Sequence, residues 1–314
     1  MIQIISSMSE LGAGTRGASL GLEAIKTASF KSNPGFFKKN KVQKVDNVNN
    51  LLFTHSDNPF GKRIEGIVKM YRRLSAKVAE AMEDNLFPVV ISGDHSNGGA
   101  TIKGIKQAYP ERRLGVIWID AHADLHSAYT SPSGNMHGMP LATAIHEDNL
   151  ESKQKDVDDE TIAFWNKLKG PDQRVSPKDI IFIALRDTEA PEDHLIEKYD
   201  IRVYRVDEVR ERGVDAVVNE SLQLLGECDH IYTSFDVDSM DTSVSIGTGT
   251  PVDNGLMEDE AKRFLQRYAA EPKMSRIEFT GVNPLLDDKG NAMGEAAFRL
   301  IESTVETLET TLNK

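Results

Sequence analysis

Three short apolar runs each end in residues able to hold a metal ion. Val89–Ile91 leads into Ser92-Gly93-Asp94-His95-Ser96. Gly115–Ile119 leads into Asp120-Ala121-His122-Ala123-Asp124. Ile231–Phe235 leads into Asp236-Val237-Asp238. Residues two apart on an extended chain point the same way. Asp120, His122 and Asp124 therefore converge if the backbone stays extended past the run, and Asp236 and Asp238 stand in the same relation. With His95 the set is four carboxylates and two imidazoles. Singly, each piece has a plain explanation, since Asp94 can cap a following helix and a lone strand-end aspartate is more often a cap than a ligand. Together, four crowded aspartates repel unless cations sit among them. Carboxylate and imidazole ligation without thiolate suits Mn²⁺, Fe²⁺, Co²⁺ or Zn²⁺, and the oxygen-rich balance favours Mn²⁺. Six ligands with some bridging carboxylates suffice for two metals about 3.5–4 Å apart.

The elements that position these residues are legible in the apolar periodicity. Strands are expected at Gln3–Ser6, Val89–Ser92, Gly115–Ile119, Ile180–Leu185, Arg202–Val206, Ile231–Phe235 and Ile277–Val282. Several are almost wholly apolar, as parallel strands covered on both faces should be. Helical spacing is clearest over Lys62–Asp84, where Ile64, Ile67, Val68, Tyr71, Leu74, Val78 and Met82 form one stripe. Further helices are expected at Gly98–Tyr109, Val214–Leu225, Glu258–Ala270 and Glu295–Leu312. Strands separated by helices predict βαβ crossovers and one parallel sheet, whose ligands bind outside the carboxyl ends of the strands. The three clusters then share one rim. Asn33-Pro34-Gly35 reads as a turn, the following lysines 38, 39 and 41 as a solvated basic face, and the polar stretch Glu147–Glu160 as a loop or the start of a surface helix. No repeat or linker divides the chain.

Composition narrows the function. Thirty-seven basic against 49 acidic residues leave a charge of −12 over 314 residues, which argues against wrapping nucleic acid. A cationic substrate is drawn in by this field, whereas an anionic one must be captured locally. One cysteine, Cys228, excludes an internal disulfide and a thiolate zinc cage. Its neighbours Glu227 and Asp229 raise a thiol's pKa, so it reads as inert. A cytoplasmic setting is expected. No targeting segment is evident and no run approaches the roughly 18 apolar residues of a membrane helix. Gly12-Ala13-Gly14-Thr15-Arg16-Gly17 follows a strand with dinucleotide-like glycine spacing, but the acidic residue expected about 20 positions on is missing.

The metal motifs resemble those of the ureohydrolase family, which includes arginase, agmatinase and formiminoglutamase. The resemblance covers nearly the whole chain. Ser9–Gly17 is similar to the arginase N-terminal loop, Ser131-Pro132-Ser133-Gly134-Asn135-Met136-His137-Gly138-Met139-Pro140 to its substrate loop, and Gly247-Thr248-Gly249-Thr250-Pro251-Val252 to the stretch after the last metal aspartates. The substrate loop points to the arginase branch. The resemblance implies a single domain over 1–314, a three-layer α/β/α fold with a mainly parallel eight-stranded sheet, and two Mn²⁺ ions per chain. His95, Asp120, Asp124 and Asp236 would hold one ion and Asp120, His122, Asp236 and Asp238 the other, with Asp120 and Asp236 bridging. Asp124 would orient the attacking water and His137 would shuttle a proton. Ser131, Ser133 and Asn135 would contact an α-carboxylate. Glu189, with Glu192 as second candidate, would face the α-amino group, and Thr250 would lie near the guanidinium. The implied reaction is hydrolysis of a guanidino or amidino C–N bond, first L-arginine to L-ornithine and urea, with formiminoglutamate and then agmatine as alternatives. A metal-binding homologue with poor turnover is the other reading. The implied assembly is a homo-oligomer, a trimer or hexamer, with no nucleic-acid or membrane partner.

Two positions depart from the family. Where arginases place an asparagine that binds the amino-acid end, this chain has His126. Where arginases and agmatinases place a glutamate before Val-Asn-Pro, this chain has Gly281 before Val282-Asn283-Pro284. Losing an anion that faces a cation costs several kcal/mol of binding. Glu278 is a poor substitute, because on a strand it points away from the face of Gly281. If the gap is a lost guanidinium partner, Gly281→Glu should raise kcat/KM for arginine.

Overall fold

The computed structural model describes residues 1–313 except His55 and Asp57. Its strands are β1 (Ile2–Ser7), β2 (Val42–Lys44), β3 (Phe87–Ser92), β4 (Leu114–Ile119), β5 (Ile180–Ile183), β6 (Arg202–Tyr204), β7 (His230–Asp236) and β8 (Met274–Thr280). They form one sheet in the order β2-β1-β3-β8-β7-β4-β5-β6. Every neighbouring pair is parallel, so the sheet is wholly rather than mainly parallel. The helices are α1 (Gly21–Ser32), α2 (Phe36–Lys39), α3 (Ile64–Glu83), α4 (Ser96–Ala108), α5 (Pro140–Ala144), α6 (Asp159–Lys169), α7 (Ala190–Tyr199), α8 (Val206–Arg212), α9 (Val214–Leu224), α10 (Glu258–Ala269) and α11 (Ala292–Leu312).

The strand period of two divides the apolar residues between two cores. Ile4, Val89, Ile91, Ile117 and Ile119 face a layer that includes Leu22 and Ile25 of α1, Phe264 of α10 and Phe298 of α11. Ile5, Val90, Val116 and Trp118 face the opposite layer, with Tyr71 and Leu74 of α3, Ile102 of α4 and Trp165 of α6. Helices thus cover both faces, which gives the three-layer α/β/α architecture. Among the described residues no helix is long and apolar enough to cross a membrane.

All seven expected strands are present, with boundaries shifted by one to three residues. β5 stops at Ile183 because Ala184 has φ +69, and β8 stops at Thr280 because Gly281 has φ +89. Val206 belongs to α8 rather than to β6. The three-residue edge strand β2 was not foreseen, being too short for its alternation to register. Helices α1, α2, α5, α7 and α8 are not among the expected ones, and α6 is there only as a possible helix start. The inward face of α1 is mostly small, with Gly21, Ala24, Ala28 and Ser29 beside Leu22 and Ile25. That of α7 contains buried Glu192, so neither shows a clean stripe. Asn33-Pro34-Gly35 does turn the chain from α1 to α2, and Asp158 ends the polar stretch by capping α6 through Thr161 N at 2.8 Å.

α4 matters most for the site, because His95 is its N-cap. α4 packs closely on α3. A Cβ at Gly104 would lie 2.6 Å from Ser75 O and 2.7 Å from Val78 Cβ. Gly104→Val should therefore destabilise the protein by about 1–3 kcal/mol through overpacking, read as a lower urea midpoint at unchanged m-value.

Candidate active site

Asp94, His95, Asp120, His122, Asp124, Asp236 and Asp238 follow the carboxyl ends of β3, β4 and β7, which lie close together in the sheet with β8 between β3 and β7. All but His122 are buried. His95 Nδ1 lies 2.8 Å from Asp120 Oδ2, 3.0 Å from Asp124 Oδ2 and 3.2 Å from Asp236 Oδ2. His95 Nδ1, Asp120 Oδ2 and Asp124 Oδ2 are nevertheless without hydrogen-bond partners. Their lone pairs converge on one point, which is what a cation's ligands do and what a folded core otherwise avoids. His122 Nδ1 lies 3.2 Å from Asp238 Oδ2 and 3.4 Å from Asp120 Oδ1. Two groups thus have metal-ligand spacing, His95–Asp120–Asp236 and Asp120–His122–Asp238, with Asp120 common to both. This donor set fits a pair of divalent cations.

Convergence is reached by a different route from the one expected. The chain does not stay extended beyond the strands. Residues 120–122 bend, Asp124 is left-handed at φ +52, and Asp238 sits in a 3₁₀ turn over Val237–Ser239. Side-chain oxygens stabilise these bends. Asp120 Oδ1 accepts from His122 N at 2.8 Å, and Asp236 Oδ1 accepts from Asp238 N at 3.0 Å. The expected residues do lie together, but bends held by their own side chains, and not an extended chain, bring them there.

The electrostatics follow from the crowding. Burial and the charge of Asp238 push Asp236 up to about 8, and burial with Asp120 pushes Asp124 up to about 6. Asp238 rises for the same causes, burial and Asp120. Burial also opposes ionisation of Asp120, but its contacts with His122 and His95 hold it below the usual range. For His95, burial disfavours the cation and the three carboxylates at Nδ1 outweigh it, so its pKa rises. A cluster that distorts its own titration this strongly is a functional-site signature.

Several supporting residues carried no signal in the sequence. His95 stacks on Trp118 at 4.0 Å between ring centroids, and its Nε2 lies 2.7 Å from Ser234 Oγ, which fixes the ring with Nδ1 toward the carboxylates. Asp94 accepts from Ser96 N at 2.9 Å, the cap role expected of it, and also from Gly12 N at 3.0 Å. The glycine-spaced loop therefore folds over the site rather than opening a dinucleotide-binding helix. The loop is held from behind by buried Asn283, whose Nδ2 donates to Arg16 O at 3.0 Å.

The pocket over the cluster is lined by Ala13, Gly14, Thr15, Asn135, His137 and Thr250, among others. His137 is placed as expected, and burial, then the charges of His122 and His95, push its pKa down to about 4. Asn135 reaches the pocket wall. Thr250 turns inward and donates to Asp238 Oδ2 at 3.1 Å. Ser131 and Ser133 do not line the pocket, because their hydroxyls accept from Gly134 N at 3.0 Å and Asn135 N at 3.2 Å and shape the loop itself. His126 is buried and lies 3.6 Å from both Glu189 and Glu192, so the two candidate carboxylates meet at one imidazole off the pocket wall. Burial, then the charge of Lys155, lower His126 to about 4, which favours the neutral imidazole.

Gly281 lines the pocket, but it is not a vacancy that a glutamate could fill. Its φ is +89, and a Cβ there would lie 2.3 Å from Asp236 Oδ1. Asp236 pairs with Thr280 at the adjoining strand ends, which brings the two so close. Glu278 is wholly buried and accepts from Ser92 Oγ at 2.5 Å and Tyr232 OH at 2.7 Å, away from the pocket as the strand period required.

Asp120→Ala should abolish high-affinity uptake of a second Mn²⁺, and Ser234→Ala should weaken uptake by about 10–100-fold. Calorimetric titration and metal analysis of the dialysed proteins check both. The same titration applied to Gly281→Glu should give a loss of about 10–100-fold, since the new side chain displaces Asp236. That reverses the gain expected from the sequence.

A model of the arginase family matches residues 2–306. The chain is 31% identical to the arginase of Bacillus subtilis strain 168 over 96% of each chain. It superposes on the crystal structure of a B. subtilis arginase with a TM-score of 0.81 at 30% identity, covering 97% of this chain and 98% of the other. The B. subtilis formimidoylglutamase shares the fold at 20% identity, with a TM-score of 0.75 over 98% of this chain and 86% of that one. Agreement over nearly the full length, in sequence and in structure alike, makes this chain a member of the arginase family.

Proposed function

We propose that this chain hydrolyses a C–N bond in a linear guanidino or amidino compound, with two Mn²⁺ ions held at the strand ends. The convergence of His95, Asp120, Asp124 and Asp236 on one point beneath a pocket walled by His137 carries this reading. His95, Asp120, Asp124 and Asp236 would hold one ion, and Asp120, His122, Asp236 and Asp238 the other. When bound, the ions neutralise the carboxylates and make hydroxide available near neutral pH. Asp124 accepts a hydrogen bond from the attacking water and aims it at the sp² carbon. The proton lost by the water must reach the departing amine. His137, kept neutral by burial, can accept it and pass it on. Asn135 orients the substrate's far end. L-Arginine, giving L-ornithine and urea, is the first substrate to test, and the family names among the relatives support it. A cytoplasmic homo-oligomer, trimeric or hexameric, acting as a single domain completes the proposal.

Urea and amine release from Mn²⁺-loaded protein, with arginine, agmatine and formiminoglutamate side by side, tests it. Turnover of at least one is expected, and His137→Ala should lower kcat about 10²–10⁴-fold with metal content unchanged. A protein that binds two metals yet is silent on every amidino compound would sink the hydrolase reading.

A further inference from the structure

Strands covered on both faces are apolar, yet a carboxylate lies in the middle of this sheet. Glu278 is wholly buried on β8, flanked in the ladder by Val90 of β3 and Ser234 of β7. Burying a carboxylate is costly unless its oxygens are hydrogen-bonded, and an apolar side chain would fill this place without that cost. The oxygens of Glu278 accept from Ser92 Oγ and Tyr232 OH, and both donors lead toward His95. Ser92 ends β3, three residues before His95. Tyr232 and Ser234 stand two apart on β7 and so share a face. Burial, then the charge of Glu278, push the pKa of the Tyr232 phenol up, and the Ser234 hydroxyl opposes that rise, as a donor to the phenol oxygen does. Ser234 Oγ also lies 2.7 Å from His95 Nε2.

The direction of the protons along this row is fixed at one end. A carboxylate only accepts. Tyr232 gives its single hydroxyl hydrogen to Glu278 and must accept from Ser234. Ser234, having given its own to Tyr232, must accept from His95. The imidazole therefore keeps its hydrogen on Nε2, and Nδ1 is the nitrogen left to bind an ion among Asp120, Asp124 and Asp236. We propose that Glu278 is a positioning residue for the ion held by His95, acting through Tyr232 and Ser234 from outside the pocket. The inference rests on the metal centre of the hydrolase reading and needs no particular substrate. Because the row ends on His95, its effect falls on the group His95–Asp120–Asp236 and spares Asp120–His122–Asp238.

Glu278→Gln tests this, since it keeps the size of the side chain but adds a donor. The amide can give a hydrogen to Tyr232, and the row can then reverse until Ser234 donates to Nε2 and the ring hydrogen moves to Nδ1. Calorimetric Mn²⁺ titration of the dialysed protein should show one ion bound about tenfold more weakly in E278Q, with the other unchanged. Two further backgrounds assign that ion. With His122→Ala, E278Q should weaken the remaining ion by the same factor. With His95→Ala, it should change nothing, because the row no longer ends on a ligand. Tyr232→Phe interrupts the row and should repeat the pattern even if E278Q folds poorly. Wild-type binding of both ions by E278Q and by Tyr232→Phe, or an equal loss in the His95→Ala background as a merely structural role would give, overturns the proposal and leaves the hydrolase reading in place. If the wild type binds two ions and the variants weaken one by this pattern, yet no amidino compound is cleaved, the hydrolase reading fails and the role of Glu278 stands.

Discussion

Four buried aspartates within contact distance of two imidazoles are an electrostatic liability, and the structure is arranged around keeping them there. In water such groups would separate or take up protons. Inside the protein they are pinned by bonds that leave selected ligand atoms bare, as His95 Nδ1, Asp120 Oδ2 and Asp124 Oδ2 show. The pinning groups are backbone N–H donors from the bends themselves, Ser234 behind His95, and Trp118 beneath it. Burial raises the stakes of every one of these contacts, because a low local dielectric strengthens both attraction and repulsion. The apolar sheet supplies the rigidity. Side chains held by packed strands cannot relax away from one another as loop residues would.

Much of this was readable in the sequence, for a physical reason. Parallel strands covered on both faces must be apolar throughout, so polar residues stand out where a strand ends. The six ligand candidates, the two-layered helical cover and seven of eight strands follow from that contrast. What escaped lacked it. Ser234 belongs to a strand whose other residues gave no reason to single out a hydroxyl. Ser131 and Ser133 match the resemblance, but a hydroxyl in a tight loop satisfies its own backbone first. The bent path through residues 120–124 could not be inferred, since it depends on side-chain acceptors that only the folded geometry supplies. At position 281 a missing carboxylate invited a simple restoration. The backbone there is left-handed and pressed against Asp236, so glycine answers a steric requirement.

The N-terminal loop over the pocket is held by residues from distant parts of the sequence, Asp94 on one side and Asn283 on the other. The wall it gives the pocket therefore depends on tertiary packing and not on any local run of sequence.

The strand order has a bearing on how the site comes into being. β8 is the last strand along the chain, yet it lies in the interior of the sheet, between β3 and β7. Until it inserts, β2-β1-β3 and β7-β4-β5-β6 are separate half-sheets with open edges. One half brings His95 and the other brings every aspartate of the cluster. Glu278 of β8 fastens the join by accepting from Ser92 of β3 and Tyr232 of β7 at once. During synthesis, the cavity is therefore among the last features to form. The two ligand groups differ in this respect: Asp120, His122 and Asp238 all follow β4 and β7 of one half, whereas the group containing His95 is assembled only when the halves join.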